Sequence, residues 1–292
     1  MKHPFLGICF LFISNLSSFG QQNEKQTEIL IIGVNHSRTK KINYNKLYQL
    51  LEKNKPDLIL WEQSEDFISV FGLRTAYRLK IISGGTEQLA LQVYNKKNRL
   101  IPILGFDTSF TSRENDINKN ISRKHYSKEE RIAKKNYVKE SIRINDTFFT
   151  KLYQSKLNNE DSLKYRAYAD LHNNYIDDIY NKSLEEINLP VIYYKSKKME
   201  EMESNVIVPL ARKYMIDSIT LNEYISDLNF GKARNSFMVQ NILDIAFTHK
   251  GKRIIVLTGL SHKYFLIDAL IKQNKMNLKL LSLELLISSS IE

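Results

Sequence analysis

The sequence predicts an α/β fold: a mainly parallel sheet flanked by helices, with a long helical insertion over the carboxyl edge of the strands. Three features carry that expectation. Two continuous apolar runs, Ile29–Ile32 and Ile254–Leu257, lack the alternation of a strand with one wet face and read as strands buried on both sides. Between residues 28 and 62 the order is strand, helix, strand with short links, the βαβ unit that makes neighbouring strands parallel. From about 111 to 230 the chain is polar, rich in Lys, Asn, Tyr and Glu, and helical in its spacing.

The elements follow in order. The first strand starts at Glu28 and runs toward His36. Leu47, Leu50 and Leu51 predict a short helix closed before Pro56. Asp57–Glu62 is a second buried strand, ending on a carboxylate. Asp66–Ile82 reads as a helix broken at Gly84-Gly85, after which Thr86 is the expected cap of a helix through Leu89, Ala90, Val93 and Tyr94. Leu100–Asp107 is a third strand, whose Pro102 argues for an early or edge position in the ladder. In the insertion, Leu163, Ala167, Leu171 and Ile179 are spaced for one helix face, with Tyr168 and Tyr175 beside them. The insertion serves either as a lid and specificity element or as a helical layer packed on the sheet.

Arg234–Phe247 is an amphipathic helix with Phe237, Met238, Ile242, Ile245 and Ala246 facing inward and Arg234 in its first turn. A cation gains nothing from the helix dipole at that end, so Arg234 is expected to be held by a carboxylate or to face a substrate anion. Gly251 closes the helix, the strand to Gly259 follows, and Phe265, Leu266, Ala269 and Leu270 mark another helix. Leu278–Leu283 is the last strand.

Bulk properties narrow the class. With 292 residues, only five prolines and no Pro/Gly/Ser-rich linker, a single α/β domain over 21–292 is expected, with core segments about 27–110 and 231–285 around the 111–230 insertion. Residues 1–20 resemble an export signal: Lys2 and His3 are followed by apolar Phe5–Ile13, with Ser18 and Gly20 small at −3 and −1 of a cut. That implies a periplasmic or extracellular protein, and the apolar run is too short to require membrane association. Cys9, the single cysteine, follows Ile8 rather than a small residue, and cleavage would remove it. The mature chain would then have neither disulfides nor a catalytic thiol. The net charge of +11 comes from scattered lysines without an RNP-like motif, zinc-finger spacing or helix-turn-helix. It reads as solvated surface, and no nucleic-acid partner is expected.

The functional signal is a repeated strand ending. Gly33 with His36, and Gly259 with His262, each form Gly-x-x-His after a buried run. The glycine lets the chain leave the strand through a tight or left-handed turn, and the histidine reaches the carboxyl edge, where open α/β sheets place their ligands. Glu62 and Asp107 end two further strands at that edge. Two imidazoles and a carboxylate form a ligand set for a divalent metal with positions left for water, which makes His36, Glu62 and His262 the metal candidates. Without a metal, a His–Glu pair serves as general base and an arginine stabilises a developing oxyanion, so His36, Glu62, Arg234 and His262 are the catalytic candidates. Taken alone, Glu62 also fits a helix cap or an ion-pair partner of Arg38, and Asp107 a cap of the following segment. His125, His172 and His249 read as structural. The sequence holds no phosphate-binding glycine loop, Gly-x-Ser-x-Gly elbow or His-Glu-x-x-His motif.

With these residues the chain resembles the superfamily that groups the TraB/PrgY pheromone-shutdown proteins, the Tiki proteases, the erythromycin esterases and the ChaN haem-binding lipoproteins. The shared pattern is an early Gly-x-x-His, a Glu ending the next strand, an Arg on a late helix and a second Gly-x-x-His, here Gly33 with His36, Glu62, Arg234, and Gly259 with His262. Gly105-Phe106-Asp107 and Arg234-Asn235, followed by Met238 and Asn241, are most similar to the erythromycin-esterase branch. The resemblance covers about 27–107 and 234–282, and Asn35 and Ser37-Arg38 depart from the usual pattern. It implies an exported hydrolase acting on a small-molecule or peptide substrate, assisted by a divalent cation such as Mn, Co or Zn. Its haem-binding branch implies the alternative, a protein that holds haem or a metal without turnover.

Overall fold

The computed structural model describes residues 25–34, 44–63, 85–107, 144, 146–181, 190–273 and 278–281. The expected export signal, the Asp66–Ile82 helix, His36 and His125 lie outside the described residues.

Five strands form one parallel sheet: β1 (Glu28–Val34), β2 (Leu58–Trp61), β3 (Ile103–Gly105), β4 (Arg253–Gly259) and β5 (Lys279–Leu281), in the order β3-β2-β4-β1-β5. The apolar runs are central, as their lack of alternation requires. Ile29, Ile31, Leu60, Ile254 and Val256 face one side, where they meet Met238, Ile242, Ala246, Leu266 and Leu270. Leu30, Ile32, Ile59, Ile255 and Leu257 face the other, against Leu47, Leu51, Ala90 and Leu91. Each such side chain contributes about 1.5–3 kcal/mol when fully buried. β3 is an edge strand, in keeping with Pro102, whose carbonyl accepts from the Ile59 N–H at 3.0 Å.

The helices on the second face are α1 (Tyr44–Asn54) and α2 (Thr86–Lys97). Gly85, not Thr86, is the N-cap of α2; Thr86 is already helical and its side chain is buried. The insertion holds a helical stretch at 146–154, then α3 (Asn159–Asn181), α4 (Pro190–Met202), a π-helical turn (Glu203–Ile207) and α5 (Val208–Lys213). Helix α6 (Ser218–Thr248) follows, and α7 (Leu260–Lys272) comes after β4. None of the described helices is long and apolar enough to cross a membrane.

Two features of these helices differ from expectation. On α3 the buried apolar residues are Tyr168 and Tyr175, while Leu163 is 64% exposed and Ala167 faces solvent. Tyr168 stacks on Phe149 in an aromatic core with Phe148 and Tyr224, and Tyr175 packs with Ile192 and Leu260; the larger area of the rings outweighs the leucine stripe. The second difference is α6, one helix of 31 residues capped by the Asp217 carboxylate on the Thr220 N–H. Arg234 therefore lies in its middle, not its first turn, because Gly231 interrupts the helix less than its propensity suggests. Met238, Ile242 and Ala246 are buried as expected, but Phe237 is 48% exposed.

The insertion rests on the start of α7, next to the carboxyl end of β4. Tyr175 and Ile192 pack on Leu260, and the Tyr193 hydroxyl and Lys197 ammonium both donate to Asp268.

Candidate active site

Four elements converge at the carboxyl edge. β2 delivers Glu62, the residues after β3 deliver Asp107, α6 delivers Arg234 and Asn235, and the first turn of α7 delivers His262. β1 and β4 are neighbours whose ends are level, with Gly33 opposite Thr258 and Val34 opposite Gly259. His36 follows two residues after β1.

Arg234 is the hub. Its Nε and Nη2 donate to the two oxygens of Asp107 at 3.0 and 2.7 Å, a bidentate pair. The same Nη2 donates to Glu62 Oε1 at 2.7 Å, and Nη1 lies 3.2 Å from His262 Nε2. The interactions of Asp107 and Glu62 raise the Arg234 pKa despite the opposing effect of burial, so the guanidinium stays charged. The expectation that a carboxylate holds Arg234 is met twice over. The cause is burial beside two strand ends rather than the helix dipole.

Glu62 is 6% exposed and satisfied on both oxygens. Oε2 accepts from the Thr258 hydroxyl at 2.7 Å and from the Gly259 N–H. Burial alone would push its carboxyl up. His262, the Gly259 N–H, the Thr258 hydroxyl and Arg234 outweigh that, and the net shift is downward. Gly259 has φ −60° and ψ 142°, so β4 passes into α7 without a left-handed residue. At Gly33 a close approach is the reason for glycine: a Cβ would come within 2.9 Å of Leu260 Cδ1 and 3.1 Å of Lys263 Cδ.

His262 is held from both sides. Asn235 Oδ1 lies 2.5 Å from Nδ1, and an amide oxygen only accepts, so Nδ1 carries hydrogen. Nε2 then faces Arg234 and, at 3.5 Å, Glu62 Oε1. Asn241 supports the strand end by donating to the Phe106 carbonyl at 2.9 Å.

The structure thus brings Glu62, Arg234 and His262 together, while His36 lies outside the described residues. Asp107, Thr258 and Asn235 were not among the sequence-derived catalytic residues. Asp107 was visible as a strand-terminal carboxylate, Asn235 as the neighbour of Arg234, and Thr258 as the one polar residue inside an apolar strand. His249 caps α6, and His172 stacks on Tyr168 at 6.1 Å between ring centroids.

Among the described residues, no group of three His, Cys, Asp or Glu side chains is arranged to hold a metal ion. Glu62 Oε1 and His262 Nε2 lie 3.5 Å apart, and Arg234 Nη2 and Nη1 each contact one of them.

Fold and site together define an α/β protein with a buried acid–base cluster at the carboxyl edge of a parallel sheet. Comparison with known protein families and with curated proteins finds no match. Among solved structures, the chain is similar to a mutant of the erythromycin esterase EreC in its open conformation, at 12% identity and a TM-score of 0.27. That similarity covers 82% of this chain and 61% of the other. A likeness of that size fixes neither family nor activity.

Proposed function

We propose that the protein is a hydrolase that cleaves an ester or amide bond of a small molecule or peptide by acid–base chemistry, within the superfamily its paired Gly-x-x-His motifs resemble. The observation that carries this is the Arg234 guanidinium shared among Glu62, Asp107 and His262 at a sheet edge. A buried, pre-aimed cation of this kind suits a developing oxyanion, because no reorganisation is needed when the charge appears. Glu62 has both oxygens engaged, which favours a role in steadying positive charge over one in abstracting a proton. His262 Nε2 is likewise occupied by Arg234.

That leaves His36 as the base. Its ring takes a proton from water as the water oxygen adds to the acyl carbon, Arg234 covers the oxyanion, and the ring returns the proton to the departing alcohol or amine. The Arg234 guanidinium, in contact with both Glu62 and His262, already sets a fixed positive charge against these groups, which favours this route over the metal-assisted one. The test is a panel of esters and peptides offered to the chain with and without chelator, beside His36→Ala, Glu62→Gln and Arg234→Lys. The expected result is chelator-resistant turnover, reduced about 100-fold or more in each variant, the scale of losing one oxyanion donor or one acid–base group. Full activity in His36→Ala or Glu62→Gln would refute the assignment.

A further inference from the structure

The amino edge of the sheet, opposite the candidate active site, gathers positive charge. The five strands are parallel and start level, with Glu28 opposite both Arg253 and Lys279 and Leu58 opposite Ile254. An exposed cation leads into each of them: Lys25 before β1, Lys55 before β2, Arg99 before β3, Lys252 before β4, and Lys279 opening β5. Helices α1, α2, α6 and α7 each precede a strand and so end at the same edge. Lys53, Lys97 and Lys272 stand in the last turns of α1, α2 and α7, and Lys250 follows α6. The helix dipole favours a cation at these four ends, but it does not act on those that enter the strands.

The carboxylates at this edge are few. Glu28 is taken by Arg253 at 2.7 Å and Lys279 at 2.9 Å, and Asp57 accepts from the Arg253 N–H and lies 4.0 Å from Lys252. Among the described residues, Lys25, Lys55, Arg99 and Lys250 pair with no carboxylate. The insertion is different: Lys151, Lys195, Lys197 and Lys213 each pair with an aspartate. Positive charge is therefore balanced there and in excess at the amino edge. Three large apolar side chains stand in water among these cations. Leu100, in the turn before β3, is 96% exposed, and Phe247 and Ile271, in the last turns of α6 and α7, are 58% and 60% exposed. Lys250 Nζ lies 4.9 Å from the centre of the Phe247 ring, which joins ring and cation in one patch.

We propose that the amino edge of the sheet docks on an anionic phospholipid bilayer, with Leu100, Phe247 and Ile271 entering the interface and the surrounding cations facing headgroup phosphates. Basic residues near an anionic leaflet and apolar residues in the headgroup boundary are the two additive sources of reversible membrane binding. The apolar residues favour a bilayer over a nucleic acid, because a phosphate backbone answers the cations but offers nothing to Leu100 and Ile271. The carboxyl edge lies one strand away, about 20 Å for seven residues. Docking in this pose leaves Arg234 facing the aqueous side, toward soluble substrates rather than lipids. The docking surface itself does not depend on the hydrolase reading.

The experiment is co-sedimentation of the full chain with vesicles of phosphatidylglycerol and phosphatidylcholine in equal parts, beside vesicles of phosphatidylcholine alone. The apolar stretch at 5–13 is present in every variant, so differences between variants read the edge. Binding to the anionic vesicles is expected to be about tenfold tighter or more, and to weaken with salt. Arg99→Glu with Lys250→Glu should weaken it about tenfold or more, and Leu100→Ser with Phe247→Ser severalfold. All four side chains are exposed, so neither pair removes core packing. Lys156→Glu with Arg212→Glu makes the same charge change on exposed residues of the insertion and should leave binding within about twofold. Equal binding to both vesicles, an equal loss in the insertion pair, or no effect of the Leu100 and Phe247 pair would overturn the proposal. So would binding to duplex DNA that is tighter than to the anionic vesicles and indifferent to Leu100→Ser and Phe247→Ser.

Discussion

At the scale of single residues, Arg234 has the most at stake. Its guanidinium is the ion-pair partner of two carboxylates whose side chains are only 4–5% exposed. Removing one member of a buried ion cluster is more damaging than the cluster is stabilising, because the remaining charges stay desolvated. Arg234→Met is therefore expected to cost about 3–5 kcal/mol, read as a fall in urea midpoint at pH 7. Arg234→Lys should recover part of that stability but not the activity, since an ammonium cannot make the two-point contact with Asp107.

The pH dependence follows from Glu62, whose folded-state pKa is depressed below 4.5. A depressed carboxylate contributes stability that is fully present above its unfolded pKa and is lost as pH falls through the folded one. Wild type should exceed Glu62→Gln in urea stability at pH 7, and the gap should close steadily as pH falls below about 4.5. A gap that stayed constant to pH 3 would mean that Glu62 is not held as a carboxylate in the fold.

At the scale of elements, three glycines predict opposite signs. Gly231 sits within α6, where a Cβ would meet no described atom within 4 Å. Gly231→Ala should stabilise the chain by about 1 kcal/mol through helix propensity alone. Gly251 has φ +70° and a Cβ there would approach the Lys25 carbonyl oxygen at 3.1 Å, so Gly251→Ala should cost about 1 kcal/mol or more. Gly33→Ala pushes on Leu260, which is buried against Tyr175 and Ile192, and should cost about 1–3 kcal/mol. Thermal melts of the three variants would check both the order and the signs.

These positions also mark what the sequence made legible. The strands β1, β2 and β4 were readable because a parallel sheet buries both faces, so uniform apolarity is itself the signal. The edge placement of β3 was readable from Pro102. The continuity of α6 was not, since the amphipathic pattern read from Arg234 onward does not show what packs on the residues before it. The inward face of α3 was misjudged for a related reason. Apolar spacing marked Leu163, whereas tertiary packing chose Tyr168, in the aromatic cluster, and Tyr175, against Ile192 and Leu260. In the site, strand-terminal residues announced themselves, but Asn235 and Thr258 act through hydrogen bonds that only the folded geometry defines.

At the scale of the whole molecule, α6 decides how the parts unfold. Its first half gives Leu221 and Tyr224 to the aromatic cluster of the insertion, and its second half gives Met238, Val239, Ile242 and Ala246 to the sheet core. Helix formation is cooperative, so melting one half exposes the ends of the other and strips the packing that holds it. Arg234, between the halves, is tied to β2 and to the segment after β3, and Leu260 of α7 is covered by α3 and α4. Loss of the insertion would therefore reach the sheet through both α6 and α7. The expected outcome is one unfolding transition shared by both cores. Phe148→Ala in the insertion and Leu60→Ala in the sheet should each cost about 2–5 kcal/mol. Both should lower the same midpoint, whether followed by tyrosine fluorescence from the insertion or by Trp61 at the end of β2. If Phe148→Ala instead split the curve, with the Trp61 signal holding at its wild-type midpoint, the insertion would be a separate folding unit.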